Sequence, residues 1–406
     1  MNNNSTQPSV SRAAVVSRTT RTFPNVWTLP RSLLTDWSYV AVDKRDLRLD
    51  LLRGFAVVVM VVDHFGGSSW LYLITGGNGF FVSGAEAFIF ISGLVVGMVY
   101  GGIALKAGLR AAQTKALQRA WTLYKLTVVL TLLFAALSVT FGLDWAKDLK
   151  ITDPLGFALN VATLRQTMYL TDIPLMYTFL MLAAAGGLWF LHKGKTGLLL
   201  AGSGALWLAF QMAPARMQVP WPVDGNTTFN FAAWQLLFFT AMAIGYHRDD
   251  VQRKLSAMPR LPYLMFSGLL LVWLARLYGT QGALLSRFMP EATLQQFMQE
   301  FFLKSSLAPG RLIASFIVFQ FAYLAATLWW RPIWAALGWL LLPLGQNALY
   351  AYTMHVAVIG LFYTTLPHLP LNVLAMGTLN TSLQLLTILA IWWMIQRRFL
   401  FRIVPR

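Results

Sequence analysis

The sequence predicts an all-α polytopic membrane protein, a single bundle of about ten transmembrane helices. Three observations lead to this prediction. Hydrophobic residues make up 57% of the chain and charged residues only 12%, against roughly 25% charged in soluble domains. Apolar runs of about 18 to 25 residues also recur along the whole length, and each can cross a hydrocarbon core of about 30 Å as a helix.

The hydropathy pattern places ten spans, with ends uncertain by several residues. The ninth is too long for one straight crossing, and Pro343 with Gly345 predicts a kink or a break in it. The spans are 51–71, 80–101, 120–142, 172–191, 197–213, 230–247, 262–279, 309–329, 334–363 and 378–397.

The distribution of Lys and Arg predicts the topology. They are concentrated in the N-terminal tail and in the linkers after even-numbered spans, and fewer follow odd-numbered spans. By the positive-inside rule, both termini lie in the cytoplasm, which requires an even number of spans. The net charge of +17 is therefore explained by cytoplasmic loops of a membrane protein, and nothing indicates nucleic acid.

The chain is expected to consist of an N-terminal tail and one transmembrane domain. Residues 1–45 are polar, lack the apolar run of a signal peptide and predict a disordered cytoplasmic tail, whose second half either lies on the bilayer surface or is an unstructured leader. Residues 46–400 form the transmembrane domain. No cysteine is present, which excludes disulfides and thiol catalysis.

The stretch 50–93 carries the strongest functional signal. Ionisable residues there flank or interrupt apolar runs, and such residues within a membrane are costly enough to indicate function. They are Asp50, Arg53, Asp63, His64 and Glu86.

His64 is the first candidate for a general base, because a neutral imidazole can accept a proton near pH 7. Arg53 lies eleven residues earlier, on the same helical face and about 16 Å away along the axis, a distance comparable to an extended pantetheine arm. Asp63 points about 100° away from His64 on a helix. Glu86 is better placed to reach His64 from the next span. The alternative for His64 is a helix-end histidine at the outer interface, and the alternative for Glu86 is a structural carboxyl.

Two further groups lie near the predicted cytoplasmic surface. Asp50 and Arg53 are spaced to form an i,i+3 ion pair. Lys115, Arg119 and Tyr124 belong to a basic and aromatic cluster before the third span, which either satisfies the positive-inside rule or binds the phosphates of a cytoplasmic ligand.

A later stretch contains a second intramembrane histidine, His355, with Asn347 and Tyr350 on neighbouring turns. Functional and structural interpretations of this stretch are both open. Asp172, at the mouth of the fourth span, is a weaker candidate. Metal-site spacings and phosphate-binding glycine motifs are absent from the sequence, so no metal ligands are predicted. Glycines such as Gly54, Gly93 and Gly97 predict close helix packing.

Several of these segments resemble the OpgC family of integral membrane proteins, which are implicated in succinylating osmoregulated periplasmic glucans. The similarity is most specific in Leu49-Asp-Leu-Leu-Arg-Gly-Phe-Ala with Asp63-His64, and in Ala85-Glu-Ala-Phe-Ile-Phe-Ile-Ser-Gly. Further similar segments are Arg119-Ala-Trp-Thr-Leu-Tyr, Tyr169-Leu-Thr-Asp-Ile-Pro-Leu-Met-Tyr and Trp234-Gln-Leu-Leu-Phe.

OpgC proteins in turn resemble the acyltransferase-3 superfamily, which has an Arg, ten residues and a catalytic His, and a late Tyr-x-x-His. Arg53 with His64, and Tyr352 with His355, are similar to these motifs. The superfamily's Arg-x-x-Arg is not reproduced, and Lys115 with Arg119 is the nearest match. Membrane-bound heparan N-acetyltransferases share related first spans, so the acceptor is not fixed by this stretch.

The resemblance implies an O-acyltransferase of the bacterial inner membrane that moves a succinyl or acetyl group from cytoplasmic acyl-CoA to a hydroxyl of a periplasmic glycan. It implies His64 as base and Arg53 on the donor side. Expected partners are acyl-CoA as donor substrate, the glycan and membrane lipids, with a second copy of the chain as an open alternative and no permanently bound cofactor. The alternative function is a transporter or flippase for a lipid-linked saccharide.

Overall fold

The computed structural model describes residues 37–40, 45–143, 151–256, 258–286, 288–365 and 373–406. Its contacts divide the chain into two compact units, Met1–Trp37 and Ser38–Arg406, and all elements named below belong to the second. The tail predicted for residues 1–45 lies, apart from 37–40 and 45, outside the described residues.

The described part of the chain is helical, with no β-strand beyond one isolated bridge between Gln166 and Asp224. Its α-helices are α1 (Leu47–Phe65), α2 (Tyr72–Thr75), α3 (Gly84–Ala107), α4 (Leu109–Phe141), α5 (Pro154–Ala162), α6 (Asp172–His192), α7 (Thr196–Met212), α8 (Phe231–Tyr246), α9 (Arg248–Ser256), α10 (Arg260–Gly279), α11 (Glu291–Phe301), α12 (Pro309–Leu328), α13 (Trp330–Gln346), α14 (Ala348–Thr365) and α15 (Gly377–Gln396).

Among the described residues, six helices are both long and apolar enough to cross a membrane: α3, α4, α6, α10, α12 and α15. Two shorter apolar helices, α7 and α8, accompany them. These helices indicate a multi-pass membrane protein, but the expected count of about ten crossings is not confirmed. α1 carries Arg48, Asp50, Arg53 and Asp63 within its 19 residues, which lowers its mean hydropathy.

The kink or break predicted in the ninth span, 334–363, is confirmed. The span consists of α13 and α14, which are separated at Asn347. Pro343 has no backbone N–H to donate within the last turn of α13. The Asn347 side chain and backbone N–H both donate to the Pro343 carbonyl, at 2.9 Å and 3.2 Å.

Helix α13 begins and ends beside the N-terminal end of α1. At its start, the Trp330 ring lies 4.9 Å from that of Tyr39, whose hydroxyl accepts from the backbone N–H of Leu47. At its end, Gly345 packs directly on the carbonyl of Asp50. We call this end of the bundle the Asp50 end, and the opposite end, where α1 terminates, the His64 end.

Close packing between helices brings backbones into contact where the sequence has glycine. Gly54 lies against the Leu341 carbonyl, Gly93 against that of Phe238 and Gly97 against that of Met242. An added Cβ would overlap these oxygens. The packing role predicted for the three glycines is therefore confirmed, and it fixes α1 against α13 and α3 against α8.

Candidate functional site

The central feature is a pair of histidines contributed by α1 and α14. His64 Nδ1 lies 2.9 Å from His355 Nε2, and the two rings stack with centroids 5.1 Å apart. His355 is fully buried, whereas His64 is half-buried. This contact uses one nitrogen of His64 and leaves its Nε2 as the other proton-transfer position.

The His355 side of the pair is held by Tyr352, one turn earlier on α14. The two rings lie 4.8 Å apart, edge to face, and the Tyr352 hydroxyl donates to the Leu170 carbonyl at 2.7 Å. This bond ties α14 to the segment that precedes α6. The late Tyr-x-x-His pattern thus places its tyrosine against the second histidine.

The end of α1 is fixed immediately after His64. Gly66 and Gly67 adopt positive φ angles of 65° and 71°, which glycine tolerates best. Asn380 on α15 donates to the carbonyls of Gly66 and Ser68, at 2.8 Å and 2.9 Å, and Tyr363 donates to that of Phe65 at 2.9 Å. These bonds satisfy carbonyls at the helix terminus and hold the histidine in place.

At the His64 end, polar side chains from several segments surround the histidine. The ring of Tyr169 lies 6.2 Å from that of His64 and is partly exposed. Asp172 begins α6 and accepts from the N–H of Ile173 at 2.9 Å. The ammonium group of Lys304 interacts electrostatically with His64 and with the carboxyls of Asp63 and Asp172.

Lys304 and Tyr169 were missed as site residues by sequence reasoning. Lys304 lies in a loop between α11 and α12, and a loop lysine on the predicted outer side has no distinctive pattern. Tyr169 was marked only as part of a family-like segment.

Asp63 faces away from His64, as the helical geometry predicts. Its Oδ1 accepts from the Thr75 hydroxyl at 3.4 Å, and its carbonyl accepts from the Asn78 side chain at 2.9 Å. Asp63 therefore binds the segment between α2 and α3 and makes its nearest contacts there.

Glu86 lies elsewhere than expected. Its Oε2 accepts from the backbone and hydroxyl of Ser83 at the start of α3, at 2.9 Å and 2.6 Å, and its Oε1 pairs with Arg311 of α12. Both partners of the ion pair are almost fully buried. The carboxylate thus caps α3 and joins α3 to α12. In the structure the group that contacts His64 is His355.

Asp50 pairs with Arg45 and not with Arg53 as its spacing suggested. Arg45 donates to both Asp50 oxygens, at 2.5 Å and 2.8 Å. Arg53 lines a cavity instead, and its buried Nε has no hydrogen-bond partner among the described residues. A buried guanidinium with an unused donor is a typical anion-binding group.

The cavity that contains Arg53 has a volume of about 280 Å³. It is lined at the Asp50 end by Arg119 and Tyr100, and it extends between α1, α3, α4, α6 and α14 to Tyr352. Because Tyr352 contacts His355, the cavity approaches the histidine pair from the Asp50 end, and it is also lined by Ile173 and Pro174, which follow Asp172.

The predicted basic cluster is divided by the structure. Arg119 lines the cavity, whereas Lys115 is exposed on the outside of α4. The Tyr124 hydroxyl donates to the Ala162 carbonyl at 2.9 Å, and its ring stacks on Trp121 at 5.0 Å. Lys115 and Tyr124 are therefore not brought together with Arg53.

Asn347 and Tyr350 are used at the Asp50 end. Asn347 donates to the carbonyl of Pro343 and Tyr350 donates to that of Phe399, at 2.9 Å and 2.8 Å. Of the three candidates in this stretch, only His355 reaches His64.

The fold and the site define a class: a helical, multi-pass membrane protein with a histidine pair, an arginine-lined cavity that approaches it, and polar residues around it at the His64 end. The model of a protein family described as "OpgC protein" matches residues 45–398. The chain belongs to this family, and membership suggests a membrane acyltransferase that modifies glucan. No curated protein and no solved structure matches the chain significantly.

Proposed function

We propose that the protein transfers an acyl group, succinyl or acetyl, from acyl-CoA at the Asp50 end to a sugar hydroxyl at the His64 end. The observation that carries the proposal is the His64–His355 pair, which the arginine-lined cavity approaches from the Asp50 end and which Tyr169, Asp172 and Lys304 flank at the His64 end. An enzyme that joins substrates from two compartments needs its base between them.

In the proposed reaction, His64 Nε2 removes the proton of the acceptor hydroxyl. The oxygen attacks the thioester carbonyl, the new C–O bond replaces the C–S bond, and the proton passes from His64 to the departing thiolate. General-base catalysis of this kind contributes about 10²- to 10⁴-fold to the rate. Direct transfer is the simpler route, and an acyl-histidine intermediate is the alternative.

His355 would orient this base. For Nε2 of His64 to accept a proton, the neutral ring must carry its own proton on Nδ1. That N–H then donates a hydrogen bond to Nε2 of His355. The tautomer of a histidine is set by the hydrogen bond of its second nitrogen, and the 2.9 Å contact supplies that bond. His355 is accordingly proposed as a positioning residue.

On the donor side, Arg53 and Arg119 would bind phosphate groups of acyl-CoA. Both line the cavity, and guanidinium groups match phosphate geometry. The separation of about 16 Å between Arg53 and His64 along α1 suits a donor whose phosphates remain near the surface while its thioester reaches the base.

On the acceptor side, an aromatic ring and charged groups lie together at the His64 end. Tyr169 provides a partly exposed ring, and Asp172 and Lys304 provide an acceptor and a donor of hydrogen bonds. Such a surface suits a glycan. Asp63 would stabilise this end of the bundle through its bonds with Thr75 and Asn78. Glu86 would stabilise it through its ion pair with Arg311.

We further propose ten crossings, by α1, α3, α4, α6, α7, α8, α10, α12, α14 and α15, with α13 at the Asp50 end. This assignment keeps both termini in the cytoplasm of a bacterial inner-membrane protein. The contacts of both ends of α13 with the start of α1 support it.

The test uses purified protein in detergent with succinyl-CoA or acetyl-CoA and a periplasmic glucan. Free thiol should appear only with glucan present, and His64→Ala should abolish it. His192→Ala, a matched change at an exposed histidine, should leave the rate unchanged. Glucan movement across vesicles without thiol release would overturn the proposal in favour of a transporter.

A further inference from the structure

A second and larger cavity lies on a different side of α1. It has a volume of about 1450 Å³ and is enclosed by α1, α3, α8, α10 and α12. From α1 it is lined by Leu52, Ala56 and Val59, which share one helical face. Arg53 and His64 lie on a different face, about 90–130° around the helix. Helix α1 therefore lies between this cavity and the one lined by Arg53.

The lining is mostly apolar, with Phe90, Leu271, Phe316 and Phe319 among its side chains, and polar residues such as Ser315 form the smaller part. At about 30 Å³ each, on the order of 50 water molecules would be needed to fill the space. Apolar surface does not hold water in this way. These walls therefore favour an apolar occupant.

The cavity opens towards the surface that would face lipid. Phe316 lines it and is 60% exposed, and Leu73, next to the cavity mouth at the His64 end, is 87% exposed. Trp70 also lines it and is exposed, as is common for tryptophan at a membrane interface. A molecule in the bilayer can therefore enter sideways.

One wall of the cavity carries an unused hydrogen-bond donor. Ser315 lines it, and its buried hydroxyl has no partner among the described residues. Glu86 lines the same cavity and pairs with Arg311 of α12, so the charge of its carboxylate is balanced. The wall therefore offers the Ser315 hydroxyl to a neutral acceptor oxygen.

We propose that this cavity binds a membrane glycerophospholipid, with one acyl chain along α1 and α12 and its ester carbonyl at Ser315. An ester carbonyl is a neutral acceptor joined to an apolar chain, which matches both features of the wall. The chain would support α1 from behind and thereby hold His64 in position. The proposal does not depend on the reaction at His64.

The first experiment counts phospholipid in protein purified in dodecyl maltoside, by phosphorus analysis and native mass spectrometry. Wild-type protein should retain one more phospholipid per chain than Ala87→Phe, which places a large ring inside the cavity. Ala205→Phe, a matched change at an exposed position of α7, should retain as much as wild type. Equal retention by wild type and Ala87→Phe would overturn the proposal.

The second experiment uses delipidated protein to test the Ser315 hydroxyl as a hydrogen-bond donor to the lipid. Added 1-palmitoyl-2-oleoyl phosphatidylglycerol should raise the melting temperature of wild type more than its ether-linked analogue, which lacks the carbonyls. Ser315→Ala removes one donor with little change of volume, and should reduce this difference. Equal protection of wild type by ester and ether lipids would contradict the assignment of the carbonyl. Measuring melting keeps these outcomes separate from those of the thiol assay.

Discussion

Replacing His355 should lower turnover without weakening the binding of acyl-CoA. His355→Ala removes the partner of His64 Nδ1, which lies 2.9 Å away in the structure. Loss of a hydrogen bond that leaves a buried polar group unsatisfied costs about 1–3 kcal/mol. If this cost appears fully in the transition state, kcat should fall by about 5- to 150-fold, since about 1.4 kcal/mol corresponds to tenfold.

The assay is thiol release from acyl-CoA in the presence of glucan, with kcat and KM measured separately. His355→Gln places an amide near the position of the imidazole Nε2 and can still accept from His64, so it should recover part of the lost rate. His247→Ala, which changes a histidine bonded to Thr196, serves as the control. A His355→Ala enzyme with wild-type kcat, or a Gln variant no better than Ala, would refute the positioning role.

Three further predictions concern the surroundings of the pair. Arg53→Ala should raise KM for acyl-CoA by about tenfold or more, because a hydrogen bond to a charged group contributes about 1.5–3 kcal/mol, and steady-state kinetics will measure it. Glu86→Gln should lower the free energy of unfolding by about 3–5 kcal/mol, since the buried Arg311 charge loses its partner. The double variant Glu86→Gln with Arg311→Met should recover stability in thermal melts. A double variant as unstable as Glu86→Gln would argue against the ion pair as the cause. Gly345→Ala should cost about 1–3 kcal/mol by overpacking against the Asp50 carbonyl, whereas Gly202→Ala, where a Cβ meets nothing within 4 Å, should melt like wild type.

Much of the fold follows from local pattern. Apolar runs located most helices within a few residues, because a segment that buries its backbone polar groups in lipid must be helical. In the run 334–363 the hydropathy is continuous, and Pro343 with Gly345 was the sequence signal for the break between α13 and α14. The start of α4 was placed less well, because the helix begins at Leu109 while its basic residues interrupt the apolar pattern up to about residue 120.

The candidate site was predictable in part. Helical spacing put Arg53 and His64 on one face, and the structure places Arg53 in a cavity that approaches the histidine pair. The role of Glu86 had a readable signal that was not used: Ser83-Gly-Ala-Glu86 is a capping-box pattern, and in the structure the carboxylate caps α3. Its second partner, Arg311, lies 225 residues away and leaves no local signal.

By itself, the sequence determined that the chain is a helical membrane protein and that titratable groups lie along its first span, since hydropathy and the 3.6-residue period are properties of neighbouring residues. Only the tertiary structure decided that His64 meets His355 across 291 positions, that Asp50 binds Arg45, and that one face of α1 borders an arginine-lined cavity while another borders an apolar one. These pairings depend on how separate helices pack, and packing is set by side-chain shape across helix interfaces, which no single segment of sequence contains.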